Sequence, residues 1–175
     1  MADITVKELD ESDWEAYRGA RLTALKDSPD AFVATYADES GHAEDRWRDR
    51  MRRSLRLLAE HDGQVAGVAS VGRASDGSQD RAELFALWVA RQARGTGVAT
   101  ALVTAAAKAA RATGDSHLMY WVGTDNGRAV AFASGFGFRP TGLRRPTRVV
   151  SEVDGGEELA MVLALGGDRG ALPLV

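Results

Sequence analysis

The sequence predicts an α/β protein in which helices cover the faces of a mixed β-sheet. Two observations predict this class. Seven short segments are apolar or alternate between apolar and polar residues, as strands do, and four longer segments are compatible with helices. Along the chain these segments follow the order β-α-α-β-β-β-α-β-α-β-β. Because helices are interspersed among the strands, we expect them to pack on the faces of one sheet.

Each element in the first half of the chain has its own local signal. Alternation of apolar and polar residues predicts the first strand. Ser12 or Asp13 caps the first helix, and Pro29 ends it because a proline ring cannot continue a helix. A charged segment forms the second helix, and Asp62-Gly63 joins the next two strands as a hairpin. These elements cover residues 4–9, 12–26, 43–54, 55–60 and 64–71.

The second half of the chain places two helices among four strands. Gly114 ends an alanine-rich helix, and Asn126 opens a shorter one. The strands are apolar, and the one that precedes Gly123 is apolar enough to lie in the middle of a sheet. The predicted elements cover residues 82–89, 97–113, 117–122, 126–136, 138–143 and 157–165. The predicted buried face of the alanine-rich helix consists of Val98, Leu102, Ala105, Ala109 and Ala112.

The remaining segments are predicted as loops within one domain. Residues 31–41 form a loop with Phe32 and Tyr36 turned inward, and the basic residues 144–148 form part of another loop. No linker or repeat divides the chain, so we expect a single domain over residues 1–165 and a loose tail over residues 166–175.

Composition argues against several functions. The 175 residues carry a net charge of −3 and no cysteine. A basic face is usual in nucleic-acid-binding proteins, so we expect no nucleic-acid partner. Because cysteine is absent and His42, His61 and His117 are scattered, we expect no metal site. No signal peptide is visible, and no apolar run approaches the ~20 residues of a membrane helix. We therefore expect a cytoplasmic protein with no membrane partner.

A glycine-rich turn between an apolar strand and the alanine-rich helix carries the clearest chemical signal. It consists of Gln92-Ala93-Arg94-Gly95-Thr96-Gly97. Glycine permits a tight turn and the close approach of a ligand. The first turn of the following helix offers unpaired N–H groups and a partial positive charge. Together with the cation of Arg94, these features predict a phosphate site.

Two common phosphate-binding patterns do not fit this turn. Counted from Gly95, the dinucleotide-binding pattern needs a small residue where Thr100 stands, and no acidic residue follows at the expected place. The nucleoside-triphosphate loop needs Gly-Lys followed by Ser or Thr, which the sequence lacks.

The turn resembles the signature of the GNAT superfamily of N-acetyltransferases, Gln/Arg-x-x-Gly-x-Gly/Ala. A second segment, from Asn126 to Phe138, resembles the family's Asn-x-x-Ala-x-x-Leu-Tyr-x-x-x-Gly-Phe. The segments Arg21-Leu22-Thr23-Ala24-Leu25 and Pro29-Asp30-Ala31-Phe32 resemble the opening of many bacterial members. The resemblance implies the GNAT fold, a mixed, mostly antiparallel sheet of about seven strands flanked by about four helices and splayed where CoA enters.

The resemblance also implies where acetyl-CoA would lie. Its pyrophosphate would rest on the turn and the start of the helix. Its pantetheine arm would hydrogen-bond the main chain of the strand that ends at Val89, as an added strand would. Asn126 would reach the pantetheine or the thioester, and Phe132 would pack beside the arm. The implied cofactor-binding residues are Leu87, Trp88, Val89, Gln92, Arg94, Gly95, Thr96, Gly97, Val98, Ala99, Asn126 and Phe132.

The implied reaction is the attack of a neutral amine on the acetyl thioester. An amine with a pKa near 10 is mostly protonated at pH 7, so a base must remove a proton, and Glu83 is the candidate. A main-chain N–H near Val89 would stabilise the oxyanion. Where the family often has a tyrosine that protonates the departing thiolate, this chain has Ala133. Water or Ser134 is therefore the expected proton donor.

Several interpretations stay open at this point. Asn126 caps its helix, contacts the ligand, or does both, and Trp88 faces either the core or, as we favour, the acceptor pocket. The missing tyrosine also suits a non-catalytic acyl-CoA-binding sensor or partner-binding module. The expected partners are acetyl-CoA and an amine acceptor, either a small molecule or a protein N-terminus. The chain also allows for a homodimer.

Overall fold

The computed structural model describes residues 3–147 and 156–166. This part of the chain contains seven strands and five α-helices. The helices are α1 (Trp14–Asp27), α2 (Tyr36–Ser40), α3 (Glu44–Arg53), α4 (Val98–Ala112) and α5 (Gly127–Phe136). The strands are β1 (Ile4–Leu9), β2 (Leu55–His61), β3 (Gln64–Arg73), β4 (Arg81–Val89), β5 (His117–Gly123), β6 (Arg139–Pro146) and β7 (Glu157–Ala164).

The seven strands form one sheet in the order β1-β2-β3-β4-β5-β7-β6. Only β4 and β5 are parallel, and all other neighbours are antiparallel. Helix α4 connects this parallel pair, because a parallel connection must cross from one end of the sheet to the other. The predicted fold class is confirmed. The division into a domain and a tail stays a prediction, and residues 167–175 lie outside the described part.

The sheet splits between its two parallel strands. Pairing of β4 with β5 begins at Arg81 and His117 and ends at Leu84 and Tyr120. Beyond that point β4 stays paired with β3 as far as Val89, while β5 stays paired with β7. The two halves of the sheet therefore separate into a cleft with its closed end at Leu84 and Tyr120, which is the predicted splay.

A bulge in β4 lies at the start of this cleft. Phe85 is in register with Ser70 and Trp88 with Val68, so two residues of β4 stand opposite one residue of β3. Ala86, one of the two, has a φ of +52°, which is unusual for a residue other than glycine. A bulge bends the strand and redirects its main-chain groups, and bulges are over-represented beside active sites.

Helices cover both faces of the sheet. On the face that we call the α4 face, a Cβ added at Gly67 of β3 would lie 3.1 Å from the side chain of Val98 in α4. On the opposite face, the α1 face, the guanidinium of Arg56 lies 5.0 Å from the ring centre of Tyr17 in α1. Arg56 also donates to the hydroxyl of Ser70 at 2.7 Å, so Ser70 points to the α1 face.

Register and alternation then assign a face to each residue at the closed end of the cleft. Phe85 is in register with Ser70 and shares its face. Glu83, two residues before Phe85, also points to the α1 face. Leu84 and its partner Tyr120 point to the α4 face. The two faces thus carry different side chains at the place where the strands part.

The segment predicted as a loop over residues 31–41 contains helix α2. Thr35 caps this helix by accepting a hydrogen bond from the amide of Asp38 at 3.2 Å. Phe32 is half-buried, as expected, but Tyr36 is 43% exposed, so its predicted inward position is wrong. The inward residue of α2 is Glu39, which two arginines hold by ion pairs.

The buried face of α4 differs from the predicted one. Val98 and Leu102 are buried as expected, but Ala112 is exposed and Val103 is buried. In a helix so rich in alanine, apolar residues lie on every side, so periodicity alone does not choose the face. The remaining buried residues of α4 are Ala106, Ala107 and Ala110.

Three residues of the predicted basic loop, Arg144, Arg145 and Pro146, belong to strand β6. Arg144 and Arg145 pair across the strands with Glu157 and Glu158 of β7, at 3.3 and 3.0 Å. These ion pairs continue the strand past the expected boundary because opposite charges face each other on neighbouring strands. Arg148 lies outside the described part of the chain.

Candidate active site

The N-terminus of α4 begins at a turn shaped by two glycines with positive φ. Gly95 and Gly97 have φ values of +79° and +101°, which strain any residue with a Cβ. The amide of Ala101 bonds to the carbonyl of Gly97 at 3.0 Å, so the amides of residues 98–100 precede the first bond of the helix. No side chain of the described residues caps Gly97. The exposed helix end therefore presents free amides and a positive dipole, as an anion site requires.

The other residues of the turn differ in what they can offer to a phosphate. Gln92 is exposed at the rim, whereas the Thr96 hydroxyl is engaged as a donor to the carbonyl of Ala93. The Val98 side chain is buried and Ala99 is half-buried, so these two contribute only their amides. The turn thus binds mainly through its main chain.

Arg94 lies against the end of β4 and is held there by two neutral acceptors and by an ion pair with Asp27. Its Nε donates to the carbonyl of Val89 at 3.1 Å, and its Nη2 donates to the hydroxyl of Ser28 at 3.2 Å. The Asp27 carboxylate is 3.8 Å away from the same guanidinium. A phosphate at the start of α4 would compete with these partners for Arg94.

Asp27, the last residue of α1, links that helix to the turn. Its carboxylate accepts from the Ser28 hydroxyl at 2.8 Å and from the indole N–H of Trp88 at 3.2 Å. Arg91 donates to the Asp27 carbonyl at 3.0 Å. Partial burial acts to raise the pKa of Asp27, but these hydrogen bonds and the cations of Arg91 and Arg94 outweigh it and hold the pKa below its usual value.

The side chain of Trp88 does not face an acceptor pocket, so that prediction is wrong. Its side chain is only 4% exposed and is anchored to Asp27. The amide of Ala90 donates to the carbonyl of Ala66 at 2.8 Å, so Ala90 and, two residues earlier, Trp88 direct their main-chain groups toward β3. The ring of Trp88 therefore belongs to the core, and its backbone belongs to the sheet.

Val89, between these two residues, directs its main-chain N–H and carbonyl away from β3 and into the cleft. Its carbonyl is the one that Arg94 occupies. The side chains of Leu87 and Val89 are both half-buried. Beyond the bulge, β4 thus offers the cleft an edge to which an extended chain can bond.

Half-buried apolar side chains come from all four elements that border the cleft, namely β4, α4, β5 and α5. Each of them packs against the hydrophobic core and keeps part of its surface exposed. They are Leu87, Val89, Ala105, Tyr120, Ala129, Val130, Phe132 and Phe136.

Helix α5 forms the wall of the cleft opposite α4. The Asn126 side chain accepts a hydrogen bond from the Ala129 amide at 3.2 Å, so Asn126 caps the helix. Phe132 is half-buried, and its ring centre is 6.4 Å from that of Phe136. Ala133 is 0% exposed, whereas Ser134 is exposed to solvent. Successive residues of a helix differ by about 100° in direction, so Ser134 does not share the inward direction of Ala133.

Glu83 is buried at the closed end of the cleft, on the α1 face. It is 8% exposed and lies between Gly72 of β3 and Met119 of β5. Its carboxylate accepts a hydrogen bond from the hydroxyl of Ser75 at 2.8 Å. A buried carboxylate with one neutral donor keeps its second oxygen available to accept a proton.

Two aromatic residues extend the site beyond Glu83. Met119 is in register with Glu83, so Trp121 lies across the split from Phe85 on the same face. The Trp121 indole nitrogen is buried without a partner in residues 3–147 and 156–166. Arg145 covers its ring at 4.1 Å. The α1 face near Glu83 thus carries a carboxylate, two aromatic side chains and an indole N–H without a partner among the described residues.

Sequence reasoning did not find Ser75 or Trp121. Trp121 lies in a recognised strand, but its position beside the predicted base depends on the parallel register of β4 and β5. Ser75 lies in the loop before β4, where nothing in the local sequence distinguishes it from its neighbours. The fold brings Glu83, Val89 and the α4 N-terminus to one cleft, and leaves Trp88 and Ser134 directed elsewhere.

The model of the acetyltransferase (GNAT) family matches residues 8–138, which include the turn, Glu83 and α5. The chain belongs to this family. Membership confirms the predicted family and the predicted enzyme class, an acyltransferase that uses acetyl-CoA. A comparison with curated proteins found no significant match.

Solved structures of bacterial proteins share the fold. The protein yncA of Salmonella typhimurium, solved with acetyl-CoA as its cofactor, is 21% identical with a TM-score of 0.71, covering 95% of this chain and 96% of its own. The ribosomal-protein-S18-alanine N-acetyltransferase of Escherichia coli is 19% identical with a TM-score of 0.67, covering 95% and 98%. A GNAT acetyltransferase of Streptococcus pneumoniae is 17% identical with a TM-score of 0.72, covering 94% and 100%.

No helix of the described residues is both long enough and apolar enough to cross a membrane. The cytoplasmic location and the homodimer stay predictions.

Proposed function

We propose that the protein transfers the acetyl group of acetyl-CoA to a primary amine in the cleft between β4 and β5. One observation carries the proposal. The uncapped N-terminus of α4 and the buried carboxylate of Glu83 lie at opposite ends of the same cleft. The strand between Glu83 and Val89 spans roughly 20 Å, which leaves room for an extended pantetheine arm beside it.

In this proposal the pyrophosphate binds the amides of residues 98–100 and the exposed turn before them. Arg94 turns from the Val89 carbonyl, Ser28 and Asp27 toward the phosphates. A doubly charged anion attracts a guanidinium more strongly than two neutral acceptors and one carboxylate at 3.8 Å do. The freed carbonyl of Val89 and its N–H then bond the pantetheine amides. Leu87 and Phe132 contact the arm from its two sides.

The acceptor amine approaches from the α1 face. Glu83 removes a proton from it, directly or through water, and the neutral nitrogen attacks the thioester carbon. The electron pair of the C=O bond moves to oxygen, where a main-chain N–H of β4 stabilises it. When the carbonyl re-forms, the C–S bond breaks and the CoA sulfur departs with the bonding electrons. The nitrogen, positively charged after its attack, releases its excess proton to water, and the neutral amide leaves.

The acceptor is an amine of a small molecule or of a protein N-terminus. Phe85 and Trp121 supply aromatic walls that suit either the apolar part of an acceptor or its ammonium group before deprotonation. A structural neighbour named for acetylating an alanine of a ribosomal protein makes a peptide with N-terminal alanine a sensible test compound.

A second candidate function is that of an acyl-CoA-binding sensor without turnover. One observation favours it. Ala133 stands where the resembled family has its proton-donating tyrosine, and its full burial leaves no room there for an added side chain. Binding of CoA without acetyl transfer would identify this function.

The test combines binding and turnover. CoA at 100 times its Kd stabilises the folded state by about 2.7 kcal/mol. In a chain of this length that raises Tm by roughly 5–10 °C, and NAD and ATP should not do so. Release of free thiol from acetyl-CoA is then followed with spermidine, alanine and a hexapeptide that begins with alanine. Binding with turnover supports the enzyme, binding alone the sensor, and no binding contradicts both.

A further inference from the structure

In the proposed reaction, negative charge develops on the CoA sulfur as the C–S bond breaks. Helix α5 offers no side chain that could stabilise this charge. Ala133 is fully buried and has no polar atom in its side chain, and Ser134 faces solvent. The candidate must therefore come from another element that reaches the α4 face of the cleft, the face on which the start of α4 places CoA.

Tyr120 of β5 meets this requirement. It is paired with Leu84, the last residue of β4 to pair with β5, so it stands where the cleft begins. Its ring packs edge-on against Phe138, with ring centres 6.1 Å apart. The Phe138 amide donates to the Ala133 carbonyl at 2.9 Å, so Tyr120 reaches from the sheet into the cluster that contains Ala133.

The hydroxyl of Tyr120 is available. The residue is half-buried, and its hydroxyl has no hydrogen-bond partner within residues 3–147 and 156–166. This hydroxyl is not among the fully buried polar atoms, so it is open to a group that enters the cleft and free to donate a hydrogen bond to it. Glu83 and Tyr120 are one residue apart in register but on opposite faces. An acetyl group between the strands would have the base on one side and this hydroxyl on the other.

We propose that Tyr120 is a catalytic residue whose hydroxyl donates a hydrogen bond to the CoA sulfur as the C–S bond breaks. This inference rests on the proposed function. The bonding electrons pass to sulfur, the Tyr120 O–H stabilises the negative charge that develops there, and solvent finally protonates the released thiolate. The proton of the amine goes to Glu83, so the base and the hydrogen-bond donor act on different atoms.

The surroundings keep Tyr120 in the form that donates. Burial raises its pKa, so the hydroxyl stays protonated throughout the neutral range. The groups that pack against it, Leu84, Met161 and Phe138, carry no charge. The only charged residue of α5 is Arg128, and it is exposed. The facing helix α4 carries charge only at Lys108 and Arg111, which are also exposed.

The test compares Tyr120→Phe with the wild type, using an amine on which the wild type turns over. Loss of one hydrogen bond to a developing charge lowers kcat by about 10²-fold. The Kd of CoA should not change. The matched control is Tyr36→Phe, because Tyr36 is exposed on α2 and its ring contacts Lys26 of α1.

A second acetyl donor separates catalysis from a structural effect. The acetyl thioester of 4-nitrothiophenol releases a more acidic thiol that needs little stabilisation, so Tyr120→Phe and the wild type should then react at similar rates. An unchanged kcat with acetyl-CoA, or an equal loss with both donors, would overturn the assignment. Wild-type protein that turns over no amine would contradict the proposed function itself, and the role of Tyr120 with it.

Discussion

Glu83 is placed by the strands on both sides of it. Gly72 and Met119 fix its height in the sheet, and Ser75 supplies the one hydrogen bond to its carboxylate from the described residues. No lysine or arginine in this part of the chain lies within ion-pair distance of it. No described cation therefore occupies this carboxylate, which leaves it available to an amine that enters the cleft.

Replacing Glu83 with glutamine tests this role. The amide has nearly the same shape but accepts no proton from the amine, so kcat should fall by about 10²–10⁴-fold while the Kd of CoA is unchanged. Thiol release and calorimetry measure the two quantities. The control is Glu8→Gln, since Glu8 is exposed on the outer strand β1. An unchanged kcat in Glu83→Gln would rule out this carboxylate as the base.

At the level of elements, the turn and helix α4 act as one unit. The turn supplies free amides because its glycines adopt positive φ, and buried Val98 fixes the first turn of the helix against the sheet. Arg94 contacts Asp27 and Ser28 and so connects this unit to the end of α1.

Alanine substitutions at two glycines with nearly equal backbone geometry can distinguish an effect on CoA binding from an effect on stability. Gly95 and Gly77 have φ values of +79° and +80°, and a Cβ added at either meets no atom within 4 Å. Alanine at either position should cost a similar ~1–2 kcal/mol of stability. Only Gly95→Ala places a methyl group beside the proposed pyrophosphate, so its CoA Kd should rise about tenfold, or ~1.4 kcal/mol, and that of Gly77→Ala should not. Equal Kd values in calorimetry would contradict the proposed phosphate site.

Across the whole molecule, a buried ion network joins the three N-terminal helices. Glu39 of α2 accepts two bonds from Arg21 of α1, at 2.9 and 3.0 Å, and one from Arg50 of α3 at 3.0 Å. Burial acts to raise the pKa of Glu39, but the two arginines outweigh it and leave the pKa below its usual value. The network therefore supports the helical layer on the α1 face, the face from which we propose that the acceptor approaches.

Glu39→Gln should destabilise the protein by roughly 3 kcal/mol at pH 7, because the buried guanidinium of Arg21 and the half-buried one of Arg50 lose their partner. That corresponds to a Tm lower by roughly 6–12 °C. The control Glu44→Gln removes an exposed pair with Arg48 and should cost at most about 0.5 kcal/mol.

The effect of Glu39→Gln should depend on pH with a defined sign. The folded-state pKa of Glu39 is depressed, so its contribution is complete above the unfolded value near 4.3 and is lost as pH falls through the folded value. The Tm difference between variant and wild type should therefore be constant around neutral pH and shrink in acid. A difference that grows in acid would contradict the ion-pair explanation.

The sequence predicted turns and helix ends correctly where they depend on residues close together in the chain. The hairpin at Asp62-Gly63, the stop at Gly114 and the cap at Asn126 depend on residues close together in the chain, and all three are present. Predictions failed where distant partners decide the outcome. Trp88 entered the core because Asp27, on another element, accepts its indole N–H.

The sequence alone predicted most of the strands and helices and the glycine turn before α4. It also carried the resemblance to the GNAT family, to which the chain belongs. Such features follow from backbone geometry and from side chains a few positions apart. The three-dimensional fold decided which groups meet, because register and strand separation arise from pairings across the chain. It placed Glu83 and Tyr120 on opposite faces of one cleft, opened the main chain of Val89 to that cleft, and turned Ser134 away from it.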